Sequence, residues 1–141
     1  MTEQGSLHMQ LLIDAAIAAA HNSYSPYSGF RVGSALLLSN GEVITGTNVE
    51  NVSYGLTICA ERSAIVTAIS RFGPAIRIEA VAVVNLNDSP SPPCGACRQV
   101  LAEFTEPGAP ISFPAGTKGA TKHVTLTFSE LMPYASDLKL K

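Results

Sequence analysis

The placement of cysteine constrains this chain more than any other feature of its sequence. All three cysteines lie in two short segments, Cys59-Ala60-Glu61 and Pro93-Cys94-Gly95-Ala96-Cys97, and each leads directly into a run with helical apolar spacing. A fold that unites the thiols must therefore bring two helix starts to one point. Three thiolates around a Zn²⁺ leave one tetrahedral position over. Catalytic zinc keeps three protein ligands plus a water, whereas a structural site is closed by four. No fourth cysteine exists to close this one, and His8, His21 and His123 stand outside both segments, with nothing in their placement to nominate them as ligands. The site reads as open.

Glu61 sharpens this reading. It falls two positions after a candidate ligand, where a carboxylate can take a proton from water on the metal and pass it on. Three thiolates on Zn²⁺ carry one excess negative charge, which disfavours ionisation of that water, so something must withdraw charge. The N-terminal ends of the two helices supply partial positive charge. Arg62, three residues after Cys59, is placed to donate to thiolate sulfur, and Arg98, beside Cys97, is its rival for that task. A C-x-x-C in βα surroundings has a competing reading as a redox dithiol, but that leaves Cys59 and Glu61 without a purpose.

Composition bounds the partners. At 141 residues the chain fits one domain, 1–141, burying about two thirds of the surface its unfolded form exposes. A formal net charge of −2, with only nine Lys and Arg scattered along the chain, offers no basic field and argues against nucleic acid as a partner. Charged residues make up 14% of the chain, against about 25% in an average soluble protein. So small a polar surface implies that part of the outside is buried against other subunits. The most apolar early run, Leu11 to Ala20, is interrupted by Asp14 and is too short for a membrane span. An odd cysteine count without a targeting segment points to a reducing, cytoplasmic setting.

The chain in order predicts alternating layers. Residues Ser6 to His21 carry Leu7, Leu11, Leu12, Ala15, Ala18 and Ala19 at helical spacing, with Ser6 as N-cap. After a turn-rich segment around Pro26, Phe30–Leu38 and Glu42–Thr47 flank Ser39-Asn40-Gly41, a strong hairpin signal. If the second strand runs on through Asn48-Val49-Glu50, its alternation sends Asn48 and Glu50 to one face. A helix over about 58–71, an apolar strand over 76–85, a helix over 95–106 and short strands over 110–113 and 123–128 follow. The tail, 129–141, reads as a helical turn around Leu131 followed by loosely held residues.

A zinc-held water beside a carboxylate fits hydrolytic attack on an electrophilic carbon of an aminated ring, with Glu61 making the proton transfers. A cysteine or histidine ligand, a non-ligating Glu two residues on and a downstream P-C-x-x-C together form the zinc-deaminase signature. Further segments extend the likeness: Tyr24-Ser25-Pro26-Tyr27-Ser28, Phe30-Arg31-Val32-Gly33, Asn48-Val49-Glu50-Asn51, Ser53-Tyr54-Gly55, Cys59-Ala60-Glu61-Arg62 and Pro93-Cys94-Gly95-Ala96-Cys97-Arg98-Gln99. Together, and in this order, they resemble the short, three-cysteine cytidine deaminases.

That resemblance implies a three-layer α/β/α sandwich around a mixed five-stranded sheet. It implies one Zn²⁺ per subunit, a homotetramer whose active sites are completed by neighbouring subunits, and hydrolysis of cytidine and deoxycytidine to the uridines with release of ammonia, a step of pyrimidine salvage. By position it makes Cys59, Cys94 and Cys97 the zinc ligands and Glu61 the proton carrier. Asn48 and Glu50 would hold a ribose hydroxyl, and Phe30 would line the pocket. Tyr54 would reach into a neighbouring subunit's site, while the backbones of Ala60 and Pro93 would meet the pyrimidine carbonyl and amino group. One departure stands out: relatives carry a Phe that packs over the base where this chain has Ser136, after Leu131-Met132-Pro133-Tyr134-Ala135, and Tyr134 is the candidate substitute. A deaminase of a modified cytosine nucleoside, of the blasticidin S type, and a non-catalytic metal or redox protein are the alternatives.

Overall fold

A computed structural model describes residues 2–137. Its elements are α1 (Glu3–Ala20), β1 (Val32–Leu38), β2 (Val43–Thr47), a 3₁₀ turn (Tyr54–Leu56), α2 (Ala60–Phe72), β3 (Ile78–Asn85), α3 (Gly95–Ala102), β4 (Pro110–Thr117), β5 (Ala120–Thr127) and α4 (Phe128–Leu131). The strands form one sheet in the order β2-β1-β3-β4-β5. Only the β3–β4 pair is parallel, joined through α3; the other pairs are antiparallel, so the sheet is mixed. The β1–β2 hairpin closes where expected, with Gly41 at φ 87° and the Asn40 side chain accepting from the Glu42 N–H.

Alternation along β1 and β3 divides the core in two. Ala35, Ala80, Ala82 and Val84 face Met9, Leu12, Ala16 and Ala20 of α1. Leu36, Leu38, Val81 and Val83 face the other way, onto Ala64, Ile65 and Ala68 of α2, Leu101 of α3 and Phe128 of α4. The result is the three-layer α/β/α sandwich, with β1 and β3 buried on both faces, as central strands must be. Helix α2 contains Ile65, Val66, Thr67 and Ile69, β-branched residues that lower its intrinsic helicity. Burial of Ile65 against the sheet, at roughly 1.5–3 kcal/mol for such a side chain, outweighs that cost.

Small residues set how closely the helices lie on the sheet. Ala60, Ala64 and Ala68 present a smooth stripe toward β2, and Gly46 meets it: a Cβ there would stand 2.4 Å from the Ala64 nitrogen and 2.5 Å from the Ala60 carbonyl oxygen. Gly33 meets α1 in the same way, where a Cβ would lie 1.9 Å from the Ala16 carbonyl oxygen. Only hydrogen fits at either place. Because Ala60 opens α2, the Gly46 contact also fixes where that helix begins.

Several boundaries differ from the sequence reading. Helix α1 starts earlier, capped by Thr2, whose hydroxyl accepts from the Gly5 N–H, and not by Ser6. Helix α3 stops at Ala102, and the chain turns to run beside β3, where the Phe104 carbonyl accepts from the Ile78 N–H and the Glu106 N–H donates to the Ile78 carbonyl. Strands β4 and β5 are longer than expected and form a second hairpin around Gly119 at φ 86°. Pro114, Ala115 and Gly116, poor strand formers, conceal that extension. Phe128 opens α4 under a capping box made by Thr127 and Glu130 instead of ending a strand. Residues 138–141 of the expected loose tail lie outside the described residues. None of the described helices is long and apolar enough to cross a membrane.

Gly46→Ala is expected to destabilise the protein by at least the 1–3 kcal/mol typical of overpacking, about twice the effect of a tolerated core swap. The comparison is Gly108→Ala, where nothing lies within 4 Å of the added carbon. Urea unfolding checks this, and equal midpoints for the two variants would show that α2 accommodates the methyl group.

Candidate active site

Cys59 is the N-cap of the 13-residue α2 and Cys94 the N-cap of the 8-residue α3. Reciprocal backbone bonds between Val49 and Ile58 hold the approach to Cys59, and the Cys94 sulfur accepts from the Cys97 N–H at 3.4 Å. Two helix starts thus point their positive ends at one place. There the three sulfurs lie within 4.8 Å of one another, and those of Cys59 and Cys94 are 3.9 Å apart. Thiolates about 2.3 Å from a tetrahedral zinc stand about 3.8 Å from each other, so the donor set fits that ion.

The surroundings favour ionised sulfur. The Arg62 guanidinium donates to the Cys59 sulfur at 3.3 Å, and its Nε–H is buried beside the cluster without a partner. A hydrogen bond from Cys97, followed by the influence of Arg62, brings the Cys59 thiol down to about 5. Cys97 is pushed the opposite way, chiefly because it donates to Cys59 and also by burial. The surroundings thus favour thiolate at Cys59 and thiol at Cys97, and a cation can replace such protons. Arg98 does something else. It donates to the Pro93 carbonyl and to the Leu131 carbonyl, each at 2.8 Å, and so ties the wall before Cys94 to the end of α4.

Glu61, in the first turn of α2, is only 4% exposed, and burial is the main reason its carboxyl is raised to about 7. A carboxyl titrating near neutrality both takes and gives protons readily. It lines a cleft together with Phe30, Asn48, Glu50, Tyr54 and Cys94. Ala60 and Cys59 also line it, while Cys97 lies fully buried behind.

Part of the cleft wall is a hydrogen-bond network. Beyond β2 the alternation continues: Val49 is largely exposed while Asn48 and Glu50 are buried. Asn48 Oδ1 accepts from the Val32 N–H at 3.0 Å and the Ser23 hydroxyl at 2.5 Å, and Nδ2 donates to the Phe30 carbonyl at 2.8 Å. The Val32 N–H can only donate, which fixes the amide orientation. Glu50 Oε1 accepts from the backbone N–H groups of Tyr27 and Ser28 at 3.0 and 3.1 Å, and Oε2 accepts from the Ser28 hydroxyl. That hydroxyl, ahead of the two N–H groups, holds Glu50 below the ordinary carboxylate range against the opposing effect of desolvation.

The structure therefore gathers Cys59, Cys94 and Cys97 beside Glu61 and lines the same cleft with Phe30, Asn48 and Glu50. Pro93 is fully buried and does not line it. Tyr54, 62% exposed, stands at the rim of the cleft with most of its surface outward. Tyr134, fully exposed at φ 59°, lines a different groove of its own chain with Pro107 and Phe128. Sequence reasoning gave no role to Ser23 or Ser28. They act across 25 and 22 residues, and a serine in a turn-rich segment carries no pattern that reveals such a partner.

The sequence profile of the cytidine and deoxycytidylate deaminase zinc-binding region matches residues 7–109. A cytidine deaminase of Halalkalibacterium halodurans is 46% identical over 126 residues, covering 89% of this chain and 92% of that protein. One from Sporosarcina psychrophila is 39% identical over 130 residues, covering 92% and 91%. Among solved structures, the cytidine deaminase of Burkholderia pseudomallei superposes with a TM-score of 0.79 at 39% identity, covering 96% of this chain and all of that one. That of Mycobacterium tuberculosis gives 0.75 at 40% identity, covering 92% and 97%.

Arg62→Gln is expected to weaken zinc binding by about tenfold or more without emptying the site. Competition with a chromophoric chelator measures this, and unchanged affinity would pass the charge-offsetting role to the helix ends. A second expectation concerns the metal-free chain. Folded Glu61 keeps its proton up to about 7, whereas the unfolded chain releases it near 4.5. Between those values the folded state binds more protons, so Glu61 subtracts from stability as pH rises. Metal-free Glu61→Gln should therefore gain on the metal-free wild type, by on the order of 3 kcal/mol from about pH 4.5 to about pH 7.5. Urea unfolding at each pH reads this, and a constant difference between the two proteins would contradict it.

Proposed function

The chain belongs to the cytidine and deoxycytidylate deaminase zinc-binding family, and from that premise we propose that it hydrolyses cytidine and deoxycytidine to uridine and deoxyuridine with release of ammonia. The single domain 1–141 carries one site, in which Cys59, Cys94 and Cys97 hold Zn²⁺. The observation that carries this reading is the convergence of three sulfurs within 4.8 Å on a cleft that also contains a buried carboxyl poised near neutrality.

Bound there, zinc supplies Lewis acidity to the attacking water. Glu61 takes a proton from that water on a carboxylate oxygen and delivers it to the ring nitrogen beside the aminated carbon. As the carbon–oxygen bond forms and the carbon–nitrogen bond breaks, Glu61 passes a second proton to the departing amine, so that water enters and ammonia leaves. Ala60, the first residue of α2, has an N–H with no partner within the helix, suited to the pyrimidine carbonyl. Pro93, buried behind the cleft wall, bears on the site through its carbonyl, which accepts from Arg98 at 2.8 Å. Phe30 lines the nucleoside pocket, and Tyr54, at the exposed rim, reaches into a neighbouring subunit's site. Asn48 has one N–H unused and Glu50 one acceptor site unused, which together match a sugar hydroxyl that accepts from the first and donates to the second.

The working form is a homotetramer in the cytoplasm, serving pyrimidine salvage, with neighbouring subunits completing each site. Exposed Val52, Tyr54, Leu56 and Ile58, close together in the chain in the segment that carries Tyr54 to the cleft, support subunit contacts there. No feature of the cleft favours a modified nucleoside or a redox role.

Zinc-loaded protein is expected to convert cytidine with the fall in ultraviolet absorbance that accompanies loss of the amino group, and stripping the metal should abolish it. Absence of ammonia from a fully loaded sample would refute the assignment. Glu61→Gln is expected to retain zinc and lose at least about a hundredfold in turnover; loss of the metal in that variant would instead make Glu61 a ligand. Sedimentation equilibrium of the wild type should report four chains, and a monomer would remove the intersubunit part of the proposal.

A further inference from the structure

Ser28 belongs to a turn-rich segment 22 residues before Glu50, and its side chain makes two hydrogen bonds with opposite polarity. Its oxygen accepts from the Phe30 N–H at 3.0 Å, and its single hydroxyl hydrogen goes to Glu50 Oε2. The ionised carboxylate can only accept, which sets the direction of the second bond, and the Phe30 N–H occupies a lone pair of the hydroxyl oxygen. The Ser28 N–H meets the other oxygen, Oε1, at 3.1 Å, beside that of Tyr27 at 3.0 Å.

A carboxylate offers about four acceptor sites. Three are taken by protein donors, one of them an O–H on Oε2. Asn48 is similarly engaged, with Oδ1 satisfied twice and Nδ2 once. One donor and one acceptor remain between the two side chains, both in the cleft lining.

We propose that Ser28 is a positioning residue for substrate choice: by holding Oε2 of Glu50, it leaves a single acceptor site beside the spare Asn48 N–H, and so makes one hydroxyl of the nucleoside sugar a requirement. This rests on the nucleoside reading above. A buried site built to hydrogen-bond a hydroxyl rejects an analogue without it, because its polar groups are then left unpaired. Ser23 is the internal contrast. Removing its hydroxyl leaves Asn48 held by the Val32 N–H and the Phe30 carbonyl. Removing that of Ser28 leaves Oε2 with no protein donor, and the carboxylate can turn about its Oε1 contacts.

The test compares kcat and KM for cytidine, 2′-deoxycytidine and 3′-deoxycytidine in zinc-loaded wild type, Ser28→Ala, Ser28→Cys, Ser28→Thr and Ser23→Ala. Because the proposed activity includes deoxycytidine, wild type is expected to act on cytidine and 2′-deoxycytidine and to discriminate strongly against 3′-deoxycytidine. In Ser28→Ala, KM for the substrates that retain the 3′-hydroxyl should rise about tenfold with kcat within about twofold. The rejected analogue should be unaffected, so the preference shrinks about tenfold. Ser28→Cys, a weak donor of similar shape, should behave likewise, Ser28→Thr should restore most of the preference, and Ser23→Ala should lose less than Ser28→Ala. A uniform loss on all three substrates, or a preference left intact in Ser28→Cys, would overturn the proposal. Wild type that acts equally on all three would also overturn it while leaving deamination standing; wild type that fails on cytidine would remove the functional reading itself.

Discussion

Three sulfurs within 4.8 Å of one another concentrate negative charge once they are ionised, and the rest of the molecule is arranged around offsetting it. Two helix N-termini face the cluster, and Arg62 donates to Cys59 from the same turn of α2. Desolvated beside that charge, the Glu61 carboxyl is raised to about 7, with burial the larger cause and the Cys59 thiolate a smaller one. The feature that makes the cluster suitable for a cation therefore also tunes the proton carrier next to it.

Holding the helix starts in place is a packing problem, and it is solved by subtraction. Gly46 and the alanine stripe of α2 let backbone lie on backbone, and Gly33 with Ala16 does the same on the opposite face. Side chains of any size there would move Ala60 and with it Cys59 and Glu61. The arrangement is stiff for the reason interiors in general are stiff: close-packed atoms have nowhere to relax.

The cleft lining has two polar parts of different character. At the zinc site the polar groups are anionic or easily made so; Asn48 and Glu50, by contrast, are nearly saturated by protein donors and acceptors. A ligand in this cleft meets the cysteine cluster with Glu61 and also the one donor and one acceptor that Asn48 and Glu50 leave unused. Phe30, whose carbonyl holds Asn48 and whose N–H meets Ser28, links the aromatic wall to those polar groups.

Much of this was legible in the residues alone. Cysteine count and spacing, Glu61 two positions after Cys59, the Asn40-Gly41 hairpin and the shared face of Asn48 and Glu50 all follow from local rules, because capping, turn geometry and strand alternation act over a few residues. Tertiary structure decided the rest. Arg62 and Arg98 each follow a cysteine closely enough to reach sulfur, yet one meets sulfur and the other two carbonyls, since which partner a long side chain finds depends on the elements that surround it. The β4–β5 hairpin runs through residues with little strand preference because its partner strand, and not its own composition, holds it. Ser28 acquires a role only when folding carries Glu50 to it from 22 residues away. Patterns of short period are written in the sequence itself; pairings between distant residues exist only once the sheet and helices have set their distances.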